Sequence, residues 1–395
     1  MRPFYFGVVF WGEEFRSYFL DYCLSSLLAP GNIPALENKT ANRFLICTTA
    51  EDWEQMKKHR TFLLLENEMQ PVYLNLDDLE PSHDKMRFMS RGHKAIACKM
   101  HEDRAYGTFI YPDTIFSDGV VVHLQRLAGE GKKVVVAHCP RFANEGFLEQ
   151  LKSKRLLETG SPLSLKGQEL LRLAMPHMHS ETRRYEWEAS YFHGEMPALI
   201  WWRVDQESLV IHSFTWAPLL FDYEQVKIHD TKTLEHWTID GDYIYQNISS
   251  LEDVHVETDP EVMTLLSFTP ESSLTYLPLN PKLLMRLPVV GTWYRKLCLR
   301  NVLNAPQVDP LKRQLFRLPV YVPKVLQEER VQRLNANIER LFQESSKPLT
   351  DFEQRMFYWL RIVNEGIGQH LGYWVARRPF LNRVFGKRSI SRSIV

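Results

Sequence analysis

The chain has 395 residues, 44% hydrophobic and 24% charged, which suits a globular protein with a substantial core and excludes a disordered or collagen-like chain. Five dispersed cysteines (Cys23, Cys47, Cys98, Cys139 and Cys298) without CxxC spacing argue against a disulfide framework or a cysteine zinc site, and so for a reducing compartment. The formal net charge of zero hides a split: residues 272–395 hold about 21 Lys and Arg against 8 acids, leaving roughly 27 against 40 before them.

FYFGVVFW (4–11) reads as a short buried strand, and EEFRSYFLDYCLSSLL as a helix closed by Pro30-Gly31. NRFLICTTA (42–50) is a second strand, and AEDWEQMKKHRTFLLLENEM a second helix with acids at its positive end. PVYLNL (71–76) is a third strand, followed by a helical stretch around 84–105. A strand at 108–111, a helix around 119–129 and a strand at 132–139 complete an alternation that predicts an α/β domain with a mostly parallel sheet.

From about 185 to 258, ALIWWRV, SLVIHSF, HWTIDGDYIY and DVHVETD are short strand-like runs. Beyond 280, prolines at 281, 288, 306, 310, 319 and 323 precede a charged amphipathic helix, VLQEERVQRLNANIERLFQE. A second helix, TDFEQRMFYWLRIVNEGIGQHL, has Thr350 as its N-cap. The expected division is residues 1–270 as an α/β domain and 271–395 as a basic, mainly helical region. The chain lacks a basic-then-apolar leader and any run of about 18 apolar residues, which predicts a cytoplasmic location.

Ligands on an open α/β sheet bind beyond the carboxyl ends of its strands. The segment SRGHKAIACKMHEDRAYGTFIYPDTIFSDG (90–119) resembles the central segment of nucleotide-sugar-dependent glycosyltransferases of the GT-A (Rossmann-like) fold, bacterial type. Arg91-Gly92-His93-Lys94 stands where that family has a polar-Lys turn opening a helix. Ala105-Tyr106-Gly107 precedes the strand, and Tyr111-Pro112-Asp113 falls where the family's DxD acids lie. The first acid is Tyr111 here, so a single carboxylate remains, with Asp118 five residues on.

The resemblance implies transfer of a sugar from a nucleotide-sugar donor to a hydroxyl on a glycan, lipid-linked saccharide or protein. Val9 and Trp11, ending the first strand, would meet the nucleotide; His93 and Lys94, at a helix start, the diphosphate. Asp113 would hold the ribose or a divalent cation (Mn or Mg), shared with Asp118 and with His212. Without a metal, Lys94 and arginines would supply the counter-charge. The competing structural roles are a turn at Asp113, a helix cap at Asp118-Gly119 and a strand-end hydrogen bond at His212. Asp240 or Asp242 would be the base that takes the acceptor proton, with Glu186 and Glu188 as rivals. Asp240-Gly241 equally reads as a hairpin turn.

A nucleotidyltransferase is the alternative enzyme, although EEFRSYF after Trp11 lacks the glycine- and basic-rich loop it needs. A non-catalytic adaptor with a degenerate fold is the other reading. The basic residues of 279–325, interleaved with LLMRLPVVGTWYRKLCL, and the later YWVARRPFLNRVFGKR favour peripheral contact with the anionic inner face of a membrane. The competing reading is a helical subdomain that complements the acidic first part. Nucleic acid is not an expected partner, because that acidic part would oppose it.

Overall fold

A computed structural model describes residues 2–366 except 155, 195–196, 207, 227–233, 235–238, 240–241, 249, 274–278, 280–281, 283, 307 and 323–328. All six residues of β1 (Phe4–Val9, FYFGVV) are buried, as expected of a strand covered on both faces. β1 pairs in parallel with β2 (Arg43–Thr48) on one side and with β4 (Tyr106–Ile110) on the other, Val8 standing opposite both Ile46 and Ile110. β3 (Gln70–Asn75) extends the sheet in parallel beyond β2.

Past β4 the order becomes β10 (Ala217–Asp222), β6 (Val134–Ala137) and β11 (Val254–Glu257), giving a seven-stranded sheet β11-β6-β10-β4-β1-β2-β3. β6 and β11 are parallel, and β10 alone runs against its neighbours β4 and β6. The fold is thus α/β with a mostly parallel central sheet. Arg2 clamps the end of β10, with Nη1 and Nη2 donating to the two oxygens of Asp222 at 2.5 and 2.7 Å. Phe4, Phe6, Val8, Phe10, Phe19, Phe44 and Ile46 form the middle of the core. Each contributes roughly 2 kcal/mol of burial.

Two glycines set how closely the helix Lys85–Glu102 lies on β1. A Cβ on Gly7 would come within 2.4 Å of Ile96 Cγ2, and one on Gly92 within 2.5 Å of Val9 Cγ1. The helix therefore seats on the sheet where both side chains are missing.

A second sheet, β5-β12-β7, consists of β5 (Thr114–Phe116), β12 (Leu265–Thr269) and β7 (Arg141–Ala143). A third, β13-β9-β8, consists of β8 (Leu199–Arg203), β9 (Leu209–Ser213) and β13 (Val320–Val322). The chain divides into two compact units, one of residues 1–183, 198–276 and 309–332, the other of 184–197, 277–308 and 333–395. The segment 309–332 belongs to the first unit because β13 pairs with β9.

Two expected elements differ. The helix read over 50–69 is two helices, Ala50–Met56 and Arg60–Glu68. His59 breaks it with extended backbone, and its side chain caps the second piece by accepting from Thr61 N–H. The strand-like run HWTIDGDYIY instead carries a helix, Asp242–Asn247. In the second unit the capping box at Thr350 is present, its hydroxyl accepting from Glu353 N–H while Glu353 reaches back to Thr350 N–H.

Candidate functional site

After β1 the chain returns to the sheet at β2 on one side, and after β4 it passes through β5 and returns at β6 on the other, so the carboxyl ends of the adjacent strands β1 and β4 make a topological switch point. On the β1 side the chain turns at Gly12, whose φ of +85° favours glycine. Asp52 fixes this turn: its Oδ2 accepts from Gly12 N–H at 2.8 Å and its Oδ1 faces Arg16 Nη1 at 2.5 Å. Trp11 is half-buried and meets Phe88 edge-on at 5.2 Å.

On the β4 side, Tyr111-Pro112-Asp113 lead into β5. The Asp113 carbonyl accepts from Phe268 N–H at 2.9 Å, which joins the strand end to the second sheet. Burial pushes the Asp113 carboxyl up from its ordinary value, and Arg141 works against that shift. Arg141 opens β7, and its Nη1 lies 2.7 Å from Glu181 Oε2. Its charged state is reinforced, because Glu181 and Asp113 together outweigh its burial.

The backbone of Arg141 is held on both sides. Its N–H donates to the Thr182 hydroxyl at 3.2 Å, and its carbonyl accepts from that hydroxyl and from His179 N–H. Nearby, burial pushes the Cys139 thiol up to about 12, with Asp113 adding to the effect, and Cys23 rises for the same two reasons. Both thiols are protonated at neutral pH, so neither is a nucleophile there. The result is a guanidinium ion-paired with Glu181 and within electrostatic reach of Asp113. Its planar fork of donors suits a phosphate or diphosphate.

The expected residues fall as follows. Val9 is buried at the end of β1 and packs on Gly92, so its side chain serves the core. His93 is buried edge-on against Phe109 and Tyr111. His93 and Lys94 do not open a helix: they are inside Lys85–Glu102, so their N–H groups belong to the helical ladder. The start of that helix is already capped by Asp84, which accepts from Met86 N–H at 2.9 Å and takes the place an anion would fill.

Asp113 and Asp118 do not share one ion. They stand at opposite ends of β5, which alone spans roughly 10 Å at about 3.3 Å per residue. Asp118 is occupied otherwise: Oδ1 accepts from Gly31 N–H at 2.6 Å and Oδ2 from the Ser164 hydroxyl at 2.8 Å. The cap of the following helix is Gly119, without a side-chain hydrogen bond.

His212 is buried in β9, where Nδ1–H donates to the Phe316 carbonyl at 2.8 Å. Burial lowers its pKa to about 4, so it is neutral. The strand-end hydrogen bond describes it, and the metal role does not. Glu186 lies in the second unit and accepts from the Tyr191 hydroxyl at 2.7 Å. Asp240 lies outside the described residues, and Asp242 is described only as the first residue of its helix.

The residue that the sequence reading missed is Arg141. A basic residue four positions after the strand VVVA was the available signal; its partner Glu181, 40 positions on, was not.

No protein-family model matches the chain, and no curated sequence is similar to it. The solved structures that match part of the chain include these two. Mouse xyloside xylosyltransferase 1, in its apo form, is 11% identical with a TM-score of 0.25, the match covering 40% of this chain and 61% of that one. A Bacillus anthracis structure described as a glucose-1-phosphate thymidylyltransferase in complex with a sucrose is 12% identical with a TM-score of 0.23, the match covering 36% and 57%. The chain thus spans about three fifths of each of these proteins.

Proposed function

We propose that the chain is a glycosyltransferase that moves a sugar from a nucleotide-sugar donor to a hydroxyl on a glycan, lipid-linked saccharide or protein, residues 1–270 carrying the chemistry. The observation that supports this reading is the switch point at the carboxyl ends of β1 and β4, with Trp11 following one strand and Asp113, under the electrostatic influence of Arg141, following the other. In this reading Trp11 meets the base and Asp113 the ribose. Arg141 neutralises the diphosphate and steadies it as it leaves. Asp240 or Asp242 accepts the acceptor proton.

The residues at the switch point do not fit a two-carboxylate cation site. The cation acting on Asp113 is a guanidinium, and Asp118 and His212 are engaged elsewhere. Arg141 therefore carries the counter-charge in this mechanism, and no step passes through Mn or Mg. A nucleotidyltransferase is disfavoured by Glu13 and Glu14, which open the helix after Gly12 and would repel a triphosphate.

The test is donor turnover: purified protein with a panel of nucleotide sugars, with and without Mn²⁺, read as hydrolysis and as binding. Binding of one donor that persists in chelator and falls at least about 100-fold in Arg141→Ala is expected. Failure to bind or turn over any donor would remove the reading.

The second unit supports one added proposal. Leu287, Val289 and Trp293 are exposed on or just before the helix Pro288–Leu303, and Phe352, Trp359 and Ile362 on or just after the helix Asp351–Arg361. Arg355 is exposed on the second of these helices, whereas Lys296 and Arg300 on the first are ion-paired with Glu344 and Glu353. Aromatic and aliphatic groups beside such a cation suit the surface of an anionic bilayer. Among the described residues no helix is long and apolar enough to cross a membrane. Cosedimentation with vesicles rich in phosphatidylglycerol is expected, and Trp359→Glu should abolish it. Equal pelleting with neutral vesicles would count against an electrostatic contact.

A further inference from the structure

A second cluster lies at the far edge of the central sheet. His123 is in the helix Val120–Gly129, and His255 and Glu257 are in β11. Alternation along the strand puts His255 and Glu257 on one face. His123 Nε2 is 2.8 Å and His255 Nε2 3.2 Å from the same oxygen, Glu257 Oε2. The other oxygen, Oε1, accepts from Asp259 N–H at 2.8 Å, which orients the carboxylate and leaves Oε2 to the histidines. The side chains of His123 and Glu257 are 10% and 9% exposed, and that of His255 is 28% exposed.

We propose that His123, His255 and Glu257 form a zinc-type divalent cation site that staples the edge strand β11 to the helix Val120–Gly129. The three ligand atoms lie within 4.8 Å of one another, and among the described residues they form the one such group of His, Cys, Asp or Glu. Donors of a tetrahedral site with bonds of about 2.0–2.1 Å stand roughly 3.4 Å apart, inside that spread. Two imidazole nitrogens and one carboxylate oxygen are a ligand set for Zn²⁺ with a fourth position left to water. Glu257 also lines a small cavity with His138, Thr258 and Pro260, about 20 Å³ in volume, enough for about one water.

Metal uptake has a defined cost. Arg126 Nη2 donates to His123 Nδ1 at 3.1 Å, which keeps the ring proton on Nε2. A cation needs the Nε2 lone pair, so that proton must move to Nδ1 and Arg126 must let go. Arg126 is 55% exposed and already paired with Glu130, so it can turn away. The site contains neither Asp113 nor Arg141 and does not rest on the transferase reading.

The test uses the tag-free 395-residue chain, stripped with chelator and titrated with Zn²⁺ by calorimetry, with bound metal counted after dialysis. Co²⁺ serves as an optical probe of geometry. One zinc per chain, a Tm that rises on zinc addition and a tetrahedral Co²⁺ spectrum are expected. His255→Gln and Glu257→Gln should each lose at least about tenfold in affinity, whereas Arg126→Ala should bind at least as tightly as the parent. If Glu257→Gln does not fold, His255→Gln, whose side chain is partly exposed, decides. Less than one zinc per chain, or uptake unchanged in His255→Gln, would overturn the proposal.

Discussion

Two acids five residues apart have different work. Asp113 follows β4 at its carboxyl end, within electrostatic reach of Arg141, while Asp118 ties the Gly31 turn to Ser164. Asp118→Ala strands the Gly31 N–H and should cost about 1–3 kcal/mol in denaturant unfolding while leaving donor affinity unchanged. Asp113→Asn should do the reverse, keeping Tm and losing donor affinity; a Tm loss as large as that of Asp118→Ala would make Asp113 a structural residue. The sequence marked Asp113 because a proline and a buried strand point it at the sheet's rim. It could not mark Arg141, because the pairing with Glu181 exists only once β7 and the segment after the helix Gly167–Ala174 have come together. Lys94 was misread as a helix-start cation because Asp84 takes that end of the helix.

At the scale of elements, β1 to β4, β6 and the helices Lys85–Glu102, Val120–Gly129, Glu329–Glu344 and Asp351–Arg361 were legible, since each shows a run of one period closed by a turn residue, whereas the helix Pro288–Leu303 was not. β5 and β7 escaped notice because three residues carry no periodicity. β10 escaped for a chemical reason. Its Pro218 argues against a central strand, and the structure accommodates it with a register shift between Pro218 and Leu220 opposite β6. The two seat glycines lead to a prediction. Gly92→Ala gains about 1 kcal/mol of helix propensity, yet its new methyl must displace Val9. Net destabilisation in chemical denaturation is expected; a more stable variant would show that the helix has room to shift.

For the whole molecule, pH is the informative variable. Burial lowers His138 and His212 to about 4 and, in the second unit, His193 to about 3. The unfolded chain takes up these protons near the ordinary histidine value, so their contribution is intact above about pH 6.5. It drains as pH falls toward 4, at about 1.4 kcal/mol per pH unit for each group. Glu257, held well below the usual carboxylate range by His123 and His255 against its burial, loses stability in the same direction below about pH 4.5. Denaturant midpoints at pH 7.5, 6 and 5 should fall steeply, and a flat profile would contradict the neutral buried state of these rings.

The antiparallel strand at the sheet's centre also bears on how the chain is made. β10 comes from residues 217–222 but sits between β4 and β6, which end at residues 110 and 137. Until that stretch clears the ribosome, the nascent protein has the four strands β3-β2-β1-β4 with a raw edge at β4, and β6 lacks both its neighbours, since β11 is made later still. A ribosome stalled near codon 200 would therefore release a product for chaperones and proteases rather than a smaller folded protein.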